Sequence, residues 1–234
     1  MKVGFFDSGI GGTCILSAFR ELCPDVETEY IADSANCPYG NKPPEEIVRL
    51  SAVNTEELLR RGCGIVVVAC NTATAAAIDY LRAHYPTVPF VGIEPALKPA
   101  ALRSKTGVVG VLATAGTFHG RLYNETKARF AKNTTVLAVV ADEFVQIVEE
   151  WKGGKADGRK EKPLTGRFRA RVERIVRARI EPLLRAGADK IVLGCTHFPH
   201  LKPLIDEVCA GRAEVIDPSI AVARQIRRVV EKRK

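Results

Sequence analysis

Ile65-Val66-Val67-Val68-Ala69-Cys70-Asn71-Thr72-Ala73-Thr74 is an apolar, β-branched run that stops at a cysteine and continues in small polar residues. Such a run reads as a strand buried on both faces, and Asn and Thr directly after it are good helix starters. Ile191-Val192-Leu193-Gly194-Cys195-Thr196-His197 repeats the order of apolar strand, cysteine and hydroxyl residue. Working outward, Val3–Phe6, Glu29–Ala32, Ile65–Ala69, Pro89–Gly92, Gly107–Ala113, Thr135–Val140, Lys190–Gly194 and Glu214–Ile216 all read as strands. Amphipathic stretches lie between them. Pro43–Arg61 opens on Pro-Pro-Glu-Glu and closes at Gly62, which are helix start and stop signals. Arg167–Ala186 puts Phe168, Val172, Ile175, Arg179 and Leu183 on one face. The four apolar members are expected to bury and the Arg179 stem to snorkel, with Pro182 kinking the helix near its end. Strands alternating with helices predict an α/β fold of mainly parallel sheets flanked by helices.

The chain also carries a rough internal duplication. Lys2–Gly12 is a strand entering a small-residue loop, and Gly107–Thr117 repeats the idea. Each is followed downstream by an apolar strand ending in cysteine. Two similar α/β domains facing each other across a cleft would bring one thiol from each side. The handover is expected near Glu94–Pro99. The first domain is taken as residues 1–96 plus 208–234, with the terminal helix (about Pro218–Lys234) returning to it, and the second as 97–207.

Composition is that of an ordinary folded chain, 46% hydrophobic and 26% charged, with no apolar run of membrane-spanning length. The N-terminus passes from a short apolar run into a Gly-rich loop, which does not read as a signal peptide. Seven cysteines without a CxxC pair argue for reduced thiols and a cytoplasmic setting. The net charge of +8 admits an anionic substrate, a nucleic acid or only a solvated surface. No aromatics interleave with the basic runs, and no nucleic-acid motif is present, so nucleic acid is the weakest of the three.

In open α/β sheets, ligands bind at the carboxyl ends of strands, where Cys70 and Cys195 both fall. A single cysteine there is ordinarily a small core residue. Two in matched contexts point to chemistry, and the helix starts that follow them are expected to lower both thiol pKa values moderately and similarly. Two acid/base groups on opposite faces of a planar carbanion give inversion: one removes a proton as thiolate, the other delivers one as thiol. A hydrolase working through one cysteine is the alternative within catalysis. Cys195, His197 and His200 also form C-x-H-x-x-H, a metal-ligand set with no evident fourth partner and an uncommon spacing. His197, one residue removed from Cys195, reads better as its acid/base aid.

Asp7-Ser8-Gly9-Ile10-Gly11-Gly12 lacks the third glycine of a dinucleotide fingerprint, since Cys14 stands there, and no Walker lysine follows. The loop still offers backbone N–H groups to a carboxylate, and Asp7 either orients an ammonium, poises a thiol or caps the following helix.

Taken in order, FFDSGIGG, NCPYGNK, VVACNTATA, PFVGIEPALKPA, GVLATAGT, VLGCTHFPHL and VIDPS closely resemble the glutamate racemases of the aspartate/glutamate racemase superfamily. The resemblance runs from Phe5 to Ser219. It implies two pseudo-symmetric α/β domains with the active site in the cleft between them, and catalysis without pyridoxal phosphate, metal or nucleotide. It implies that Cys70 and Cys195 each act on one enantiomer, that Asp7 and Ser8 lie on the Cys70 side, and that His197 assists Cys195 with Glu149 nearby. Glutamate would be held by Ser8, Pro38, Tyr39, Gly40, Asn71, Thr72, Thr114, Thr117 and Thr196. A homodimer and a supply of D-glutamate to peptidoglycan are implied as well.

Two departures stand out. The segment Ala141–Trp151 lacks the Cys and first Pro usual before the family's glutamate, which leaves Glu149 and Glu150 both open. Lys152–Arg169 is basic and Gly-rich where relatives show an acidic helix, and reads either as a solvated loop without function or as a flexible loop near the dimer surface or cleft entrance, the former being favoured. Racemization of aspartate or another acidic amino acid, and non-catalytic binding of an acidic ligand or nucleic acid, are the remaining alternatives.

Overall fold

The computed structural model describes residues 1–152 and 163–233. Most of the basic segment, residues 153–162, lies outside them.

The first half runs β1 (Lys2–Asp7), α1 (Thr13–Leu22), β2 (Glu27–Ala32), α2 (Pro44–Arg60), β3 (Cys63–Val68), α3 (Asn71–His84) and β4 (Phe90–Gly92). The second continues with α4 (Leu97–Arg103), β5 (Val108–Ala113), α5 (Ala115–His119), α6 (Arg121–Phe130), β6 (Thr135–Val140), α7 (Asp142–Lys152), α8 (Gly166–Arg185), β7 (Lys190–Leu193), α9 (Lys202–Cys209), β8 (Glu214–Ile216) and α10 (Ser219–Glu231). The strands form two four-stranded sheets of the same order, β2-β1-β3-β4 and β6-β5-β7-β8, and every pairing is parallel. The duplication read in the sequence is thus a repeated topology.

Burial follows position in the sheet. Central β1, β3, β5 and β7 are almost continuously buried, whereas edge β6 alternates between half-buried and exposed residues. Helices on both faces of a parallel sheet produce this contrast. One face of the first sheet packs Phe6, Val66 and Val68 against α2 and α3. The other packs Val3, Phe5 and Val67 against Ile15 and Phe19 of α1 and Ala223, Ile226 and Val230 of α10. The last helix therefore closes the core of the first sheet. In the second half, α7, α8 and α9 cover one face, and Leu97, Ala100 and Tyr123 the other.

Three expectations need correction. Residues 208–216 stay with the second sheet, because β8 pairs with β7 and Val208, Cys209 and Val215 lie in that half's core. Only α10 returns, so the second crossing falls at Asp217–Pro218. On α8 the fully buried stripe is Val172, Val176, Ile180 and Leu183, while Phe168 and Ile175 are only partly buried. Arg179 does not snorkel; it is exposed and paired with Glu143. The helix also continues past Pro182 to Arg185.

Much of the basic charge on α8 is paired: Arg169 with Glu207, Arg171 with Glu150, and Arg177 with Glu173. Among the described residues, no helix is long and apolar enough to cross a membrane.

Candidate active site

Strand order reverses in each sheet beside its first strand, at β1 and at β5. Loops leaving the carboxyl ends there diverge to opposite faces and open a crevice. Four such segments matter here: residues 7–12 after β1, 69–72 after β3, 114–117 after β5 and 194–198 after β7. They carry most of the residues singled out in the sequence.

Asp7 ends β1 and is fully buried. One carboxylate oxygen accepts the Ser8 N–H at 2.7 Å; the other accepts the Gly12 N–H at 2.6 Å and the Thr196 hydroxyl at 3.2 Å. The last bond joins the first half to the second. Cys70 caps α3, its Sγ accepting the Ala73 N–H at 3.4 Å and lying 3.7 Å from Ser8 Oγ.

Cys195 follows β7, with its Sγ 3.8 Å from His197 Nδ1. His197 is buried, and its Nε2 lies 2.6 Å from Glu149, which also accepts the Ile10 N–H at 2.8 Å. With Nε2–H donated to Glu149, Nδ1 is left as an acceptor facing the thiol. Phe144 of α7 meets Phe198 edge-on with ring centroids 5.2 Å apart, and this packing holds Glu149 against His197. Of the two candidate glutamates, Glu149 faces the site while Glu150 pairs with Arg171. The hydrogen bonds from His197 and Ile10 outweigh burial and hold the Glu149 carboxyl below its ordinary range.

The thiols correct the expectation of lowered pKa values. Burial, reinforced by the charge of Asp7, pushes Cys70 up to about 12; the Ala73 and Ser8 hydrogen bonds oppose this and lose. Burial likewise raises Cys195 well above its ordinary value. Relative exposures of 4% and 7% explain why: removing a thiolate from water costs more than one helix N-terminus returns. Asp7 is raised too, by burial, against the pull of His197 and its own backbone donors.

These shifts predict a pH dependence of stability. Unfolded, Cys70 ionises near 9.0; folded, near 12. Its contribution is fully present below pH 9 and is lost as pH rises to 12, because the unfolded chain then releases a proton that the folded one keeps. The urea midpoint of the wild type should fall across that window, and that of Cys70→Ala should fall less.

Asp7→Asn should cost about 1–3 kcal/mol, since one amide face then meets a backbone N–H that needs an acceptor. Differential scanning calorimetry reads this loss, and turnover should fall with it by about a hundredfold.

Thr72, Thr114 and Thr117 form a hydroxyl chain across the two halves, with Oγ–Oγ distances of 2.8 and 2.9 Å. Gly40 lies against Thr114. Pro38 precedes a 3₁₀ turn at Tyr39–Asn41. The Tyr39 hydroxyl is committed to Asp33 at 2.5 Å and Asn54 at 3.2 Å, so backbone is what this segment has left for a ligand. Asn71 donates to Ile93 O at 3.4 Å. Its Oδ1 and the Tyr123 hydroxyl are buried with no hydrogen-bond partner among the described residues, and both residues line a small cavity with Thr117 and Glu94.

His200 does not join Cys195 and His197. Its Nε2 faces Cys14 Sγ and Thr13 Oγ1, each at 3.4 Å, and its Nδ1 lies 3.0 Å from Lys152 Nζ. Two further residues escaped sequence reasoning. Cys37 sits in the cleft beside Glu149 and His197, though nothing in NCPYGNK marks it as more than a loop cysteine. Tyr123 gave no signal on its amphipathic helix.

Residues 13–226 match the Asp/Glu/Hydantoin racemase family, and the chain belongs to it. Glutamate racemase of Herpetosiphon aurantiacus is 43% identical over 228 residues, covering 97% of this chain and 84% of the relative. That of Roseiflexus sp. is 41% identical over 231 residues, covering 99% and 80%. Escherichia coli glutamate racemase, crystallised with L-glutamate and the activator UDP-MurNAc-Ala, superposes with a TM-score of 0.82 at 34% identity, covering 98% of this chain and 82% of that one. The Francisella tularensis glutamate racemase, solved with D-glutamate, gives 0.79 at 25% identity, with coverages of 99% and 81%.

Proposed function

We propose that this protein interconverts L- and D-glutamate by proton transfer between Cys70 and Cys195. One observation carries the reading: each cysteine stands at an equivalent strand end with its own acid–base partner, buried Asp7 for Cys70 and buried His197, backed by half-buried Glu149, for Cys195. The thiols rest protonated, so the base forms in the site. Cys195 passes its proton to His197 Nδ1, whose cation Glu149 stabilises; in the other direction Cys70 passes its proton to Asp7, which burial makes a better acceptor. The thiolate takes the α-proton. Negative charge moves into the substrate carboxylate, where the Thr72, Thr114 and Thr117 hydroxyls and backbone N–H groups are available as neutral donors. The opposite thiol then gives its proton to the other face of the carbon, the product has inverted configuration, and the thiolate left behind regains through solvent the proton held on His197 or Asp7.

The same reading makes the protein a cytoplasmic homodimer that needs no pyridoxal phosphate, metal or nucleotide and supplies D-glutamate for peptidoglycan. Seven widely spaced cysteines with no CxxC pair fit a reducing compartment. Light scattering of the purified chain tests the dimer.

The test is incubation with L-glutamate, and separately L-aspartate, in D₂O, followed by polarimetry and α-proton NMR. Loss of rotation with deuterium at the α-carbon is expected for glutamate. Loss with aspartate alone would reassign the substrate, and no exchange with either would sink the reading.

A further inference from the structure

Cys37 takes no part in the proton transfer just described, yet it stands in the cleft. Its Sγ, a carboxylate oxygen of Glu149 and a ring nitrogen of His197 all lie within 4.8 Å of one another. Thiolate, imidazole and carboxylate are the three ligand types zinc accepts, and the thiol and imidazole disfavour Mg²⁺ and Ca²⁺. With zinc–ligand bonds of about 2.0–2.3 Å, neighbouring ligands in a tetrahedron sit roughly 3.3–3.8 Å apart. The present group is about an ångström from that arrangement. The His197–Glu149 contact, at 2.6 Å, must open slightly, and the wider separations must close. Cys37 and Glu149 are partly buried and His197 is buried, so the adjustment falls on the two outer side chains, against the bond that Glu149 accepts from the Ile10 N–H. These residues come from both halves of the molecule: Cys37 from the loop after β2, Glu149 from α7 and His197 from the segment after β7.

We infer that Cys37, Glu149 and His197 form a binding site for Zn²⁺, and that its occupation stops proton transfer at Cys195. The exchange balances. The metal takes Nε2 of His197 and one oxygen of Glu149, replacing the hydrogen bond between them. The imidazole stays neutral by carrying its one ring hydrogen on Nδ1. Cys37 binds as thiolate and releases its proton to solvent. Nδ1 then faces Cys195 as a donor and can no longer accept the thiol proton. The fourth position is completed by water. The binding claim is independent of the racemase reading; the inhibition claim rests on it.

Cobalt reports the two claims separately. The chelator-stripped full chain is titrated with Co²⁺, whose thiolate charge-transfer band signals a cysteine ligand, and Zn²⁺ is then added to displace it. One Co²⁺ per chain is expected, with a band that disappears in Cys37→Ser and Cys37→Ala and survives in Cys70→Ser. Circular dichroism confirms that each variant is folded. Absence of the band in the wild type, or its persistence in both Cys37 variants, overturns the site. In parallel, the zinc concentration that halves racemization should rise at least about tenfold in Cys37→Ser, measured against that variant's own metal-free rate. Full turnover by zinc-saturated wild type overturns the inhibition. A cobalt band in a chain that never racemizes glutamate upholds the site and removes the racemase reading.

Discussion

Cys70→Ser and Cys195→Ser are each expected to cut racemization about a thousandfold, from either enantiomer. Positioned proton transfer contributes roughly 10²–10⁴-fold per group, and the serine hydroxyl is so much weaker an acid than the thiol that it neither delivers a proton readily nor ionises to take one. The loss must be bidirectional, because the group that serves as base in one direction is the acid in the other. Serine is close in size to cysteine, and both sites are buried beside polar partners, so folding should survive; circular dichroism checks this. Polarimetry started from L- and from D-glutamate gives the rates. Wild-type turnover in either variant would remove the two-thiol mechanism, and dependence on one cysteine only would restore the single-nucleophile alternative.

The second large effect is expected at residues that carry no ionisable side chain. Gly9 and Gly11 let the loop after β1 press against the acid–base pair of the other half. A Cβ on Gly9 would collide with the Glu149 carboxylate, and one on Gly11 would sit 2.5 Å from His197 Nδ1 and 2.6 Å from its backbone nitrogen. The backbone nitrogen cannot swing aside, so Gly11→Ala must move the loop or the imidazole. Overpacking of this kind costs about 1–3 kcal/mol. A displacement near an ångström at a reacting group lowers turnover by about a hundredfold. Calorimetry and steady-state kinetics on Gly11→Ala should therefore show a modest loss of stability and a much larger loss in kcat. Near-normal kcat would mean that the imidazole does not need the position it holds.

Legibility in the sequence followed physical locality. The central strands are legible as uninterrupted apolar runs, and among the edge strands β6 and β8 coincide with their expected bounds. The return of the chain was placed too early because α9 and β8 carry no local mark of which sheet they join. On α8 the buried face differs from the expected one because Val172–Leu183 offers two overlapping apolar stripes, and the core it shares with α7, α9 and the second sheet decides between them. In the site, the motif-borne residues stood out, whereas Cys37 depends on a contact with residues more than a hundred positions away. The thiol pKa values were misjudged for a related reason: a helix N-terminus can be read locally, but desolvation is a property of everything around the sulfur.

The repeated strand order has a consequence for the symmetry of the reaction. Enantiomers are mirror images, but a chain of L-residues cannot build its own reflection. Two copies of one unit can be related only by rotation. That suffices, because a half-turn about an axis lying in the plane of the carbanion exchanges its two faces. The three in-plane substituents of the carbanion all differ and do not follow that half-turn, and this is where the halves differ: carboxylate chemistry beside one thiol, imidazole beside the other. Since L- and D-glutamate have equal free energies, kcat/KM must nonetheless be identical from both sides. Whatever advantage Asp7 or His197 gives to one direction in kcat must therefore reappear, undiminished, as a difference in KM.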